Sequence, residues 1–119
     1  MEIKDKLVEA IVKGIQEKKG QDITIADLRG IDGNIANYFV ICQGNSPSQV
    51  EAIADSVCET ARIDAGEKPV HTVGLPQAYW VAMDFVDVIV HVFIPEARYF
   101  YNLETLWEDA KVINIPNLD

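Results

Sequence analysis

Apolar and polar positions follow two rhythms along this chain. Over residues 1–19, Ile3, Leu7, Ala10, Ile11, Gly14 and Ile15 recur at helical spacing, and Lys13, Lys18 and Lys19 gather late, where positive charge suits a helix dipole. Gly20 reads as the stop. Residues 22–28 (DITIADL) alternate as a strand does, and residues 29–34 hold two glycines and an Asp-Gly pair, a turn signal. Residues 38–42 (YFVIC) form a continuous apolar run, the pattern of a central strand covered on both faces. Ser46, Pro47 and Gln49 then have the spacing of a capping box with proline at the first helical position. Val50, Ile53, Ala54, Val57, Cys58 and Ala61 make the apolar stripe of the helix that follows, which should end near Ala65 with Gly66 as a left-handed stop.

The second half returns to strand rhythm. Residues 68–73 predict a short strand, 74–77 a loop around Pro76, and 80–83 and 88–93 two strands joined as a hairpin through Asp84, Phe85, Val86 and Asp87. Pro95 opens a short helix to about Tyr101, and Leu103, Leu106 and Trp107 sit in a second short turn. The tail over 112–119 reads as an extended strand or packed arm. The order is α-β-β-α-β-β-β-α in one domain over residues 1–119. A strand-helix-strand crossover around the second helix implies parallel pairing, and the later hairpin implies antiparallel pairing. The expected fold class is therefore α/β, a mixed sheet with flanking helices.

The hairpin region concentrates the large rings. Eight of the 10 aromatics fall between Tyr79 and Ala110, interleaved with acids. Val88, Val90 and Val92 take one face of their strand, and Ile89, His91 and Phe93 the other. Trp80, Tyr99, Tyr101 and Trp107, mixed with Asp84, Asp87, Glu96, Glu104 and Glu108, have the composition of a protein interface: aromatic anchors supply area and acids select a basic partner. Packing of the last helix on the sheet is the competing use of the same rings. A homodimer seam is another.

Charge narrows the partner. Nineteen acids against 10 bases leave a net charge of -9, which disfavours gripping a phosphate backbone and favours a basic protein. At 119 residues the chain can bury roughly two-thirds of its unfolded surface and needs no metal or disulfide to fold. Its two cysteines, Cys42 and Cys58, read as buried reduced thiols. A charged, amphipathic start without a signal-peptide core, and no apolar run near membrane-spanning length, point to the cytoplasm.

Catalytic chemistry has thinner support. Gly44, Asn45 and Ser46 stand where a strand meets a helix, a place that can bind phosphate through backbone N–H groups, and Asp84 and Asp87 could hold a divalent metal. Together they outline a nucleotidyltransferase-like enzyme as the alternative reading. Against it, Ser46 already has a capping role, the two aspartates flank a turn rather than sharing a strand face, and no basic cluster awaits a triphosphate. A hydrolase built on His91 lacks a G-x-S-x-G elbow, and His71 and His91 with scattered acids do not make a zinc site. No cofactor or metal is expected.

NYFVICQGNSPSQVEAIADSV and WVAMDFVDVIVHVFIPEARYFYNLETLWEDA closely resemble the ribosomal silencing factor family (RsfS, also called Iojap or YbeB) over most of the chain. The resemblance implies a nucleotidyltransferase-like fold without evident activity and a starvation or stationary-phase brake on translation. It implies binding to a basic β-barrel protein of the large ribosomal subunit, universal large-subunit protein fourteen, and a block on small-subunit joining. Relatives in organelles take part in large-subunit assembly. On this resemblance and the residue pattern together, the candidate partner-binding residues are Trp80, Asp84, Asp87, His91, Tyr101, Leu103 and Trp107, with His91 buttressing the hairpin. Two positions depart from the family. Asn37 stands where an aspartate is frequent before YFV. Val86 stands where the family usually has the glycine of D-Y-G-D, and because valine tolerates positive φ poorly, a differently shaped or displaced turn is expected.

Overall fold

Asp5 starts the first helix by accepting the Val8 N–H on its carboxylate at 3.0 Å, so α1 runs Lys6–Glu17. The computed structural model describes residues 5–31, 33, 36–102 and 110–118. Strand β1 spans Gln21–Asp27 and β2 Tyr38–Gln43. Helix α2 spans Pro47–Thr60 and continues through a π turn, Ala61–Ala65, before Gly66 closes it at φ 67°. Strands β3 (His71–Val73), β4 (Trp80–Asp84) and β5 (Val88–Phe93) follow, then α3 (Pro95–Tyr101) and β6 (Lys111–Ile115).

The α2 start follows its sequence signature. Ser46 Oγ accepts from Gln49 N, and Gln49 Oε1 accepts in return from Asn45 N at 2.6 Å. The Gln49 amide group also donates to the carbonyls of Lys18 and Lys19, tying this cap to the end of α1. That end is not a glycine stop: Lys18 is the C-cap and Lys19 takes the left-handed conformation at φ 58°. Gly20 comes after them, buried beneath Ile15 and Ile53 where a Cβ has no room.

The six strands form one mixed sheet in the order β3-β4-β5-β2-β1-β6. The crossover after β2 does give a parallel pair, but with β5 rather than with the strand that follows α2. Strand β3 instead goes to the far edge, and the β4–β5 hairpin is laid between. All other pairings are antiparallel, including β6 against β1, which places the tail as a sheet strand. The mixed α/β class agrees with the sequence reading, enlarged by β6 and the π turn.

Side-chain alternation splits the sheet into two faces. Ile23, Ile25, Tyr38, Val40, Cys42, Val81, Met83, Val88, Val90 and Val92 form the main core with the apolar stripes of α1 and α2. The two helices meet closely at Gly14. Ser56 Oγ donates to the Gly14 carbonyl at 2.8 Å and Thr60 Oγ1 to the Ala10 carbonyl at 2.7 Å, so both buried hydroxyls are satisfied by the neighbouring helix. On the opposite face, Ala26, Leu28, Ile41 and Phe93 form a smaller cluster, with Ile31, Phe39, Trp80, Ala97 and Ala110 packed against it. Arg98 of α3 reaches across this face's rim, donating to the Asp22 carbonyl, Gln43 Oε1 and Thr24 Oγ1. Five donors on a planar fork let one side chain tie a short helix to two strands.

Candidate docking face

The smaller face carries a cluster of rings, Phe39, Trp80, His91 and Phe93. Register places Trp80, Ala82 and Asp84 of β4 beside Phe93, His91 and Ile89 of β5, and these beside Gln43, Ile41 and Phe39 of β2. The Trp80 ring stacks on Phe93 at 5.1 Å between centroids, and Phe39 meets His91 edge-on at 5.3 Å. Trp80 Nε1 donates to His91 Nδ1 at 3.1 Å. Indole is a donor only, so Nδ1 must be the acceptor and the imidazole carries its proton on Nε2. That Nε2 is buried with no hydrogen-bond partner among the described residues. The ring is only 8% exposed, and burial pushes its pKa down to about 4, so it is neutral at physiological pH.

Trp80 itself is half-buried: one side lies on Phe93 and its N–H is held by His91, which fixes the ring at the surface in one orientation. His91 therefore reaches a partner through Trp80 rather than by its own exposed atoms. Asp84 shares the face with Trp80, and Asp87 is exposed in the turn beyond. Among the described residues no three metal-ligating side chains converge. Tyr101 closes α3, whose last carbonyls meet the left-handed C-cap Asn102, and only its backbone is described. Leu103 and Trp107 lie outside the described residues. So Trp80 and His91 come together, Asp84 lies on the same face four residues farther along β4, Asp87 is in the turn beyond, and three of the seven candidates have no described side chain.

The hairpin keeps its tight shape with valine in it. Val86 takes φ 77° itself, between a Phe85 carbonyl that accepts from Asp87 N at 3.1 Å and an Asp84 carboxylate that accepts the Val86 N–H at 2.7 Å. An i to i+2 hydrogen bond around a positive-φ centre is a strained γ-turn. The side chain is turned out to solvent, 58% exposed. Such a conformation costs a β-branched residue about 1–3 kcal/mol. Val86→Gly is expected to raise the unfolding free energy by about 1 kcal/mol after the entropy of glycine is set against the strain, read as a higher urea midpoint with an unchanged slope.

Sequence reasoning missed three contributors, Phe39, Arg98 and Phe100, though it did name Tyr99. Phe39 was read inside a strand covered on both faces, yet it is half-buried on the aromatic face. Pairing YFVIC in register with VIVHVF would have put Phe39 beside Ile89. Arg98 had no signal beyond its place in the motif. Tyr99 and Phe100 are 89% and 79% exposed, more open than a helix packed on a sheet would leave both. The proposed phosphate seat fares worse: the Asn45 and Gln49 N–H groups are already bonded to Gln49 and Ser46 side chains. Both cysteines are free; Cys42 is buried, its thiol pushed up to about 12 by burial, whereas Cys58 is half-exposed rather than buried.

Comparison with known proteins decides the family. The model described as ribosomal silencing factor during starvation (RsfS) matches residues 1–119. The chain belongs to the ribosomal silencing factor family. The RsfS protein of Halalkalibacterium halodurans is 38% identical over 109 residues, 92% of either chain. That of Bacillus subtilis is 41% identical, covering 83% of this chain and 82% of its own. A chloroplastic Iojap protein of Zea mays is 32% identical over 90% of this chain, which spans 46% of the plant protein. A crystal structure from Chromobacterium violaceum superposes with a TM-score of 0.80 at 32% identity, covering 90% of this chain and 87% of that one. Another, from Bacillus halodurans, gives 0.73 at 34% identity, covering 95% and 96%. The mixed sheet described above is therefore also the fold of silencing-factor relatives. No helix among the described residues is long and apolar enough to cross a membrane.

Proposed function

We propose that this protein is a cytoplasmic translational brake that docks through the Trp80 face onto a basic β-barrel protein of the large ribosomal subunit, universal large-subunit protein fourteen. Bound there, it keeps the small subunit from joining. The observation that carries the reading is family membership combined with a surface tryptophan locked by His91 and Phe93, on the same sheet face as Asp84 and with Asp87 exposed in the turn beyond. A pre-oriented aromatic anchor loses little entropy on binding, and neighbouring carboxylates complement a basic partner. Silencing by this route is steric and needs no reaction. The net charge of -9 speeds encounter with a basic surface and makes it salt-sensitive. Starvation or stationary phase is when such a brake is useful. Self-association over the same face would compete with docking.

Two variants test the face. Asp87→Lys changes an exposed side chain and should leave the fold intact while weakening co-sedimentation with purified large subunits at least tenfold, as expected for a charge reversed at an electrostatically matched interface. Trp80→Ala should weaken it more, with a folded far-ultraviolet spectrum retained. Wild-type co-sedimentation in both variants would place docking elsewhere. Robust turnover of labelled nucleoside triphosphates with magnesium would favour the enzymatic alternative.

A further inference from the structure

The sheet ends differently on its two sides. The β3 edge is three residues long, short enough to offer little to a passing strand. The β6 edge is five residues, KVINI, with Lys111 at one end, Pro116 just past the other, and no charge over its centre. Its only sheet neighbour among the described residues is β1. Alongside it runs an open groove of about 850 Å³ walled by α1. Ile113 and Ile115 supply the strand side, and Glu9, Val12, Lys13 and Gln16 the helix side.

An exposed sheet edge with a helix beside it can take an added strand. Backbone groups of the edge then give affinity, and the groove selects every second side chain. Extended backbone is the chemistry that satisfies such an edge. The wall chooses further: Val12, Ile113 and Ile115 are apolar, Lys13 is tied to Asp64 at 3.0 Å, and Glu9 has no ion-pair partner among the described residues. The groove's uncompensated charge is negative, on a chain already at -9, so a second copy of this acidic chain would be repelled.

We infer that β6 and α1 form a strand-addition site for an extended segment of a basic protein, one whose side chains toward α1 alternate between apolar and Lys or Arg. The site lies at the opposite end of the sheet from the β4–β5 hairpin and does not depend on the docking reading above.

The test uses an acetylated, amidated octapeptide repeating threonine-valine-threonine-lysine, titrated into the isotope-labelled full chain and followed by amide chemical shifts. Shifts should concentrate on Val112–Ile115 and on Val12–Gln16. Methylating the alternate peptide nitrogens that face β6 should abolish them, and Glu9→Lys should weaken binding about tenfold. Shifts spread over the surface, shifts confined to the Trp80 face, or equal binding by the methylated peptide would overturn the proposal. So would concentration-dependent shifts of Val112–Ile115 without peptide, which would make the occupant a second copy.

Discussion

Gly14→Ala should destabilise this protein by about 3 kcal/mol or more, the upper range for an overpacked core. A Cβ on residue 14 would run into Thr60 Oγ1 and lie 2.9 Å from both the Ser56 carbonyl oxygen and the Val57 Cα. The first obstacle is a side chain, but it is anchored to the Ala10 carbonyl; the other two are backbone and cannot rotate away. Relief requires α1 and α2 to separate, which loosens the main core over both helices. The sign is informative because alanine is the better helix former by about 1 kcal/mol, so propensity alone predicts the reverse. Urea unfolding of Gly14→Ala, Thr60→Ala and the double variant would measure it. Removing Thr60 Oγ1 should recover only part of the loss in the double variant, since the backbone contacts remain. A Gly14→Ala protein as stable as the parent would show that the helices do not approach this closely.

Acid should destabilise the fold through His91. The unfolded side chain binds a proton near its ordinary 6.5, whereas the folded one resists until about 4. Between those values the unfolded state holds more protons, so stability is complete above about pH 7.5 and falls as pH drops through 6.5 toward 4, by about 3 kcal/mol in all. An imidazolium also has no lone pair for the Trp80 indole N–H, so protonation would break the bond that orients Trp80. Asp27, held below its ordinary value chiefly by the side-chain hydrogen bond from Arg29, loses its contribution only at lower pH, outside this window. His91→Gln keeps an acceptor for Trp80 and cannot titrate. Its unfolding free energy should vary far less between pH 7 and 4.5 than that of the parent. Parallel curves for the two proteins would mean that His91 is not held neutral by burial.

These expectations show which features could be read from the chain. The α2 cap is local: Ser46, Pro47 and Gln49 lie within one turn, so their spacing carries the geometry. The hairpin and the split of β5 into valine and His91–Phe93 faces are equally local, because alternation is a property of the strand itself. The parallel β2–β5 pair is not, since pairing partners are chosen by burial across the whole sheet. Gly14 shows the same limit. In sequence it is a small residue on a helical stripe, and its necessity appears only when Ser56 and Thr60 arrive from α2. Val86 went the other way. Its incompatibility with positive φ is a correct local rule, and the hairpin overrides it by about the strain of one residue. At the docking face the sequence named Trp80, Asp84 and His91 as neighbours in composition. The hydrogen bond that makes Trp80 and His91 one unit needed the register of β4 on β5.

The pairing of β6 with β1 also sets an order of events during synthesis. Helix α1 and strands β1 and β2 emerge early and can zip together locally, but the outer edge of β1 has no cover until residues 111–115 have been translated. Throughout elongation the nascent chain therefore carries a bare hydrogen-bonding ribbon, Ile23 to Asp27, whose proper mate is made after every other strand. Slow codons or stalls anywhere between β1 and β6 would prolong that exposure, whereas stalls before β1 would not create it.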